Sequence, residues 1–139
     1  MTEPVWVLPE AVRALHERLL SEFGGASGVR DEGMLQSALS RPGNQFAYGS
    51  PTLHELAAAY AFGLVRNHPF VDGNKRIGFA TAVLFLEING YSFSASEVDV
   101  TIQTLALAAH ELDEAGYSTW LAMNSAPFKT RSKRAPGKS

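Results

Sequence analysis

Asn74-Lys75-Arg76-Ile77-Gly78-Phe79-Ala80-Thr81-Ala82-Val83-Leu84-Phe85-Leu86-Glu87-Ile88 is the stretch on which the fold turns. From Ile77 onward only Thr81 and Glu87 are plainly polar, so a helix here is apolar on nearly every side. Such a helix belongs in the middle of a domain rather than on its surface. Asn89-Gly90 closes it with residues that tolerate left-handed backbone. Before it, Pro69 disfavours helical geometry at His68, so an irregular loop runs from His68 to Gly73.

Upstream, Pro9 and Glu10 open a first helix, with Val12, Leu15, Leu19 and Phe23 at helical spacing and Gly24-Gly25 as its stop. Asp31 caps a short second helix that buries Met34, Leu35, Ala38 and Leu39, and Arg41-Pro42-Gly43-Asn44 ends it. A loop follows to Ser50, in which Phe46 and Tyr48 either fold over a target peptide as a flap or pin the loop to the surface. Ser50-Pro51-Thr52 opens a third helix with the broad stripe Leu53, Leu56, Ala57, Tyr60, Ala61 and Leu64, ending near Asn67. Downstream, Tyr91 to Ser94 reads as a short extended piece. Ser96 and Asp99 resemble a capping box for a helix to Glu111, and a last helix covers Asp113 to Met123. The pattern predicts an all-α fold, one compact domain over residues 1–125 with a buried central helix and about six helices in all.

At 139 residues with 45% apolar content, the chain can bury one core. It has no cysteine, hence no disulfide framework and no thiolate metal site. The first residues carry no basic-then-apolar leader. Leu56 to Val65 and Ile77 to Leu86 are too short to span a bilayer, so a soluble, cytoplasmic protein with no membrane association is expected. The net charge of −2 hides an asymmetry. All 14 acidic residues lie at or before Glu114, whereas Lys129, Arg131, Lys133, Arg134 and Lys138 crowd the end. An acidic body argues against nucleic-acid binding, and residues 126–139 read as a disordered basic tail.

The loop before the central helix concentrates the chemistry. The first amides of a helix have no internal partner and carry partial positive charge, which suits an anion. Gly73 lets the backbone approach a ligand closely. Asn74 can hydrogen-bond a phosphate or hold the turn. Lys75 and Arg76 add cationic donors where the helix dipole disfavours cations unless an anion is bound. Asp72 beside phosphates calls for a bridging divalent ion, the usual arrangement for Mg2+. The imidazole of His68 can take a proton from an attacking hydroxyl. His16, His54 and His110 lie in helical patterns without partner motifs and read as structural, with their hydrogen bonds satisfied.

The run His68-Pro69-Phe70-Val71-Asp72-Gly73-Asn74-Lys75-Arg76 resembles the signature of the Fic/Doc family, His-x-Phe-x-(Asp/Glu)-(Gly/Ala)-Asn-(Gly/Lys)-Arg, and meets every specified position. Gly28-Val29-Arg30-Asp31, Leu35-Gln36-Ser37-Ala38-Leu39, Arg41-Pro42 and Leu84-Phe85-Leu86 with Asn89-Gly90-Tyr91 look like the death-on-curing (Doc) branch. The resemblance implies His68 as general base, Asp72 as magnesium ligand, and Gly73, Asn74 and Lys75 as an anion-holding turn. It also implies Arg76 as a phosphate clamp and Phe70 as the anchor of the loop.

Lys75 replaces the glycine of AMP-transferring members, and Phe79 stands where they carry a second arginine. Doc-type members share both departures and are understood to pass the γ-phosphate of ATP to elongation factor Tu. The resemblance therefore implies a growth-arresting toxin with protein kinase activity, using ATP and Mg2+ against an elongation factor Tu-like target. The alternatives are AMP or other nucleotidyl transfer to a protein hydroxyl, and a catalytically idle nucleotide- or anion-binding module. No Ser/Thr-x-x-x-Glu-(Gly/Asn) self-inhibitory sequence is present; Glu32-Gly33 comes closest, with Gly28 at the hydroxyl position. Inhibition is then expected in trans, from a cognate antitoxin laying a helix in an apolar groove.

Overall fold

The computed structural model describes residues 2–128; the basic tail expected further on lies, from residue 129, outside the described residues. Six helices follow one another: α1 Pro9–Phe23, α2 Glu32–Tyr48, α3 Leu53–Asn67, α4 Asn74–Ile88, α5 Glu97–Ala108 and α6 Glu114–Met123. Two short strands, β1 Tyr91–Phe93 and β2 Ser125–Pro127, pair antiparallel with Ser92 opposite Ala126. The all-α expectation holds, the ribbon being the one addition among the described residues.

The core forms around α3 and α4. On α3, Leu56, Ala57, Ala58, Ala59, Tyr60, Ala61, Leu64 and Val65 are all buried. On α4, Ile77, Thr81, Ala82, Phe85 and Leu86 are buried too. Small residues let these helices approach closely. A Cβ on Gly78 would lie 2.7 Å from Val65 Cγ2 and 3.2 Å from the Ala61 carbonyl. A Cβ on Gly63 would lie 3.0 Å from Ala38 Cα, so α2 crosses α3 at a similarly tight point. Neither glycine is free to gain a methyl group without moving backbone or a stiff β-branched side chain.

Two helix ends differ from the sequence expectation. The second helix does not stop at Arg41-Pro42-Gly43-Asn44 but continues through them to Tyr48, with Pro42 buried inside it. Proline and glycine each disfavour a helix interior, yet tertiary contacts on both sides of them hold the extra turns. Arg41 pairs with Glu114, Gln45 donates to Glu114 at 2.9 Å, and Phe46 meets Trp6 edge-on at 5.7 Å. Phe46 and Tyr48 thus stand on the last turns of α2 and not on a flap.

The fifth helix ends at Ala108 rather than Glu111. His110 takes a left-handed conformation at φ 65, its N–H bonds Leu107 O, and Glu111 N–H reaches back to Ala106 O. These are the bonds of a Schellman stop, hidden in the sequence because histidine occupies the position usually held by glycine.

The segments that enter and leave the domain meet at the far end of α4. Asn89 accepts from Val5 N–H at 2.8 Å and donates to Val5 O at 2.9 Å. Phe128 N–H donates to Gly90 O at 2.9 Å.

Candidate active site

The site grows from the junction of α3 and α4. Pro69 forbids another helical residue before it, and His68 leaves α3 at φ 50, ψ 53, a left-handed conformation that few non-glycine residues hold. The following residues run beside the α1–α2 loop. Val29 and Phe70 form an isolated antiparallel bridge, Val71 N–H donates to Gly28 O at 3.0 Å, and Arg30 N–H donates to Pro69 O at 2.7 Å. Phe70 is buried in the core, as expected of the loop's anchor.

Asn74 is the internal brace. It is 5% exposed, accepts from Phe70 N–H at 3.0 Å and donates to Phe70 O at 3.0 Å. Because Phe70 offers one backbone donor and one acceptor, this pair fixes which end of the amide is oxygen. The amide nitrogen then sits 3.3 Å from His68 Nδ1. Of the two uses the sequence allowed, holding the turn is the one its side chain is engaged in here.

Asp72 is exposed at the rim. One oxygen accepts from Gly73 N–H at 2.8 Å, and the other from Ala26 N–H at 3.3 Å. Gly25 makes that approach possible, since a Cβ there would lie 2.8 Å from Asp72 Oδ2. Gly73 caps α4 at φ 78 with no side-chain cap bond. The first-turn residues Asn74, Lys75 and Arg76 therefore begin a helix whose N–H groups have no local acceptor. Lys75 and Arg76 are exposed, and the guanidinium of Arg76 lies 4.5 Å above the Phe23 ring. Ion pairs among the described residues join only Arg13 to Glu32 and Arg41 to Glu114, so neither cation has a carboxylate partner.

A divalent ion fits this surface only together with a ligand. Among the described residues, no group of three or more histidine, aspartate or glutamate side chains is placed to hold a metal. Asp72 supplies one accessible carboxylate, which suits Mg2+ when phosphate oxygens complete the shell. Asp72, Lys75 and Arg76 are thus exposed together where the loop meets α4, and His68 is exposed at the loop's other end.

Three residues outside the motif also shape the site. His16 on α1 is buried, stacks on Phe70 at 3.8 Å and bonds the Asp72 carbonyl through Nε2 at 2.8 Å. It is structural, as read, but its structural work is on this loop. Arg30 donates to the carbonyls of Asn67 and His68. Phe79 packs edge-on against Phe93 at 5.5 Å and beside Trp120 at 6.2 Å. Nothing in local sequence signals the His16 contact, because 56 residues separate the partners. His54 departs from expectation, since its Nε2 is buried without a partner and its ring meets Tyr91 edge-on at 4.8 Å. Burial holds its pKa below the ordinary 6.5.

The signature loop, its helix and the helices packed around it define a class of protein that comparison with known sequences confirms. The profile of the Fic/DOC family matches residues 6–86, and the chain belongs to that family. Within it the chain is similar to the Toxin Doc of Mycolicibacterium smegmatis, at 47% identity over 76 residues. That alignment covers 52% of this chain and 58% of the relative, so it spans little more than half of the mycobacterial protein. It is also similar to the Protein kinase doc of Escherichia phage P1, at 36% identity over 99 residues, 69% of this chain and 79% of the relative.

Proposed function

We propose that this protein is a Doc-like toxin that transfers the γ-phosphate of ATP to a hydroxyl of an elongation factor Tu-like translation factor and so arrests growth. The observation that carries the reading is the uncapped start of α4, where the N–H groups of Asn74, Lys75 and Arg76 have no side-chain cap and two cations stand beside Asp72 and His68. Phosphoryl transfer asks mainly for positioning and charge neutralisation, which such an edge supplies. In the step proposed, the target hydroxyl oxygen bonds to the γ-phosphorus, the bond to the bridging β–γ oxygen breaks, and the hydroxyl proton passes to His68. ADP is the leaving group. Magnesium, bound with ATP, supplies charge neutralisation at the phosphates; Asp72 is the residue that would hold it.

Phosphoryl rather than AMP transfer is favoured by Phe79. The position where AMP-transferring relatives place a second arginine is occupied here by a ring engaged with Phe93 and Trp120. No cation is available there to grip distal phosphates in that orientation. The name of the phage relative, a protein kinase, points the same way. A cognate antitoxin acting in trans completes the proposal, in keeping with the toxin relative.

Incubating purified protein with elongation factor Tu and ATP labelled at either the γ- or the α-phosphate tests the reading. Label from the γ-position alone is expected. Label from the α-position would replace the kinase with a nucleotidyltransferase, and no label from either would leave a binding module.

A further inference from the structure

The end of α3 carries two demands at once. The last carbonyls of a helix have no internal donors, and the next residue, His68, holds a left-handed backbone conformation without being glycine. Both demands are met by one side chain from outside the signature. Arg30 Nε donates to His68 O at 2.7 Å, and Arg30 Nη2 donates to Asn67 O at 2.9 Å. The same residue holds the next carbonyl with its backbone, Arg30 N–H to Pro69 O, and Asp31 N–H shares that acceptor at 3.1 Å. Three consecutive carbonyls, 67 to 69, are therefore bound by one residue and its neighbour.

We infer that Arg30 is the positioning residue of His68: its guanidinium fork bridges the Asn67 and His68 carbonyls and fixes the left-handed backbone from which the imidazole projects. Arg30 is exposed and has no carboxylate partner among the described ion pairs, so its ordering serves these carbonyls. A cation at the negative end of α3 is also favoured by the helix dipole. Among the described residues, the His68 ring itself has one contact of hydrogen-bonding kind, the 3.3 Å approach of Asn74. Its aim therefore depends on its backbone more than on its own side-chain bonds. The fork matters as well as the charge. Two adjacent carbonyls need two donors on one rigid plane, which arginine has and lysine lacks. Arg30 touches no reacting atom and acts only through His68.

The inference rests on His68 being the base, and the test separates the two. Full-length isotope-labelled protein is compared with Arg30→Ala, Arg30→Lys and Arg13→Ala by the His68 backbone and imidazole nuclear resonance signals through a pH titration. Nucleotide KM and kcat for phosphoryl transfer are measured beside them. Arg30→Ala is expected to shift the His68 signals and to lower kcat by about ten- to a hundredfold at unchanged KM. Arg30→Lys should fall between it and wild type.

Arg13→Ala breaks the neighbouring clamp to Glu32 without touching His68 and should leave the His68 signals in place. Unmoved His68 signals in Arg30→Ala, or an equal shift in Arg13→Ala, would overturn the inference. Should Arg30→Ala not fold, a wild-type Arg30→Lys in both signals and kcat overturns it equally. Absence of phosphoryl transfer in the wild type defeats the kinase reading alone, because the His68 signals still decide the role of Arg30.

Discussion

The starts of α3 and α4 are built on the same plan with opposite chemistry. At α3, Thr52 accepts from Glu55 N–H at 3.1 Å and Glu55 accepts from Thr52 N–H at 2.7 Å, a closed capping box. At α4, Gly73 stands at the cap with no side chain to offer. The second and third helical positions are His54 and Glu55 on α3, but Lys75 and Arg76 on α4. One start closes on itself: two of its backbone donors are met by side chains, its acid suits the dipole, and burial disfavours a charge on its histidine. The other leaves donors free and adds cations where the dipole repels them. The difference teaches where the fold satisfies a helix start from within and where it leaves donors and cations that an anion would satisfy.

The comparison breaks most severely at His68, which joins the two helices. His68→Ala should remove phosphoryl transfer and growth arrest, a loss of about a hundredfold or more, with little change in melting temperature. A variant that still arrests growth would remove His68 as the base. Next in size, Lys75→Glu should turn the α4 start into an α3-like one. ATP binding by calorimetry should weaken by at least about tenfold, while stability rises by a few tenths of a kcal/mol as an acid meets the dipole. Opposite signs for binding and stability are the outcome that matters; a fall in both would mean Lys75 is a structural residue.

At α3 the reverse trade holds. Thr52→Ala should cost about 1 kcal/mol in denaturant unfolding and leave ATP affinity unchanged. The smallest effect concerns His54. Its folded pKa is depressed, so the unfolded chain binds the extra proton first. Stability is then full above pH 6.5 and declines as pH falls through the window below it. His54→Gln should flatten that slope in thermal melts across the acid range; an unchanged slope would place the titration elsewhere.

Much of this was legible in the sequence where a signal is local. Pro9, Asp31, Thr52, Gly73 and Ser96 mark starts because caps act within one turn. The apolar run from Ile77 announces a buried helix, and the signature loop identifies itself by residue type and spacing. What was hidden depends on partners far along the chain. Pro42 and Gly43 look like a stop until Glu114 and Trp6 are brought against the turns beyond them. His110 ends a helix that its side chain gives no reason to end. Arg30 appears only as part of a family-like stretch and His16 reads as a structural histidine, yet 38 and 56 residues on they meet the signature loop's own carbonyls. Tertiary contacts of this length leave no periodic trace in sequence.

The clamp of Asn89 on Val5, with Phe128 bound at Gly90, has a practical reach beyond the fold. Both segments pass the end of α4 opposite to Asn74, and a helix of 15 residues separates the two ends by about 22 Å. Fluorophores, affinity handles or surface anchors attached near Val5 or Phe128 would therefore sit on the rear of the molecule. The face carrying the signature loop would stay open to a bulky partner, which makes single-molecule and immobilised-binding formats suited to this protein.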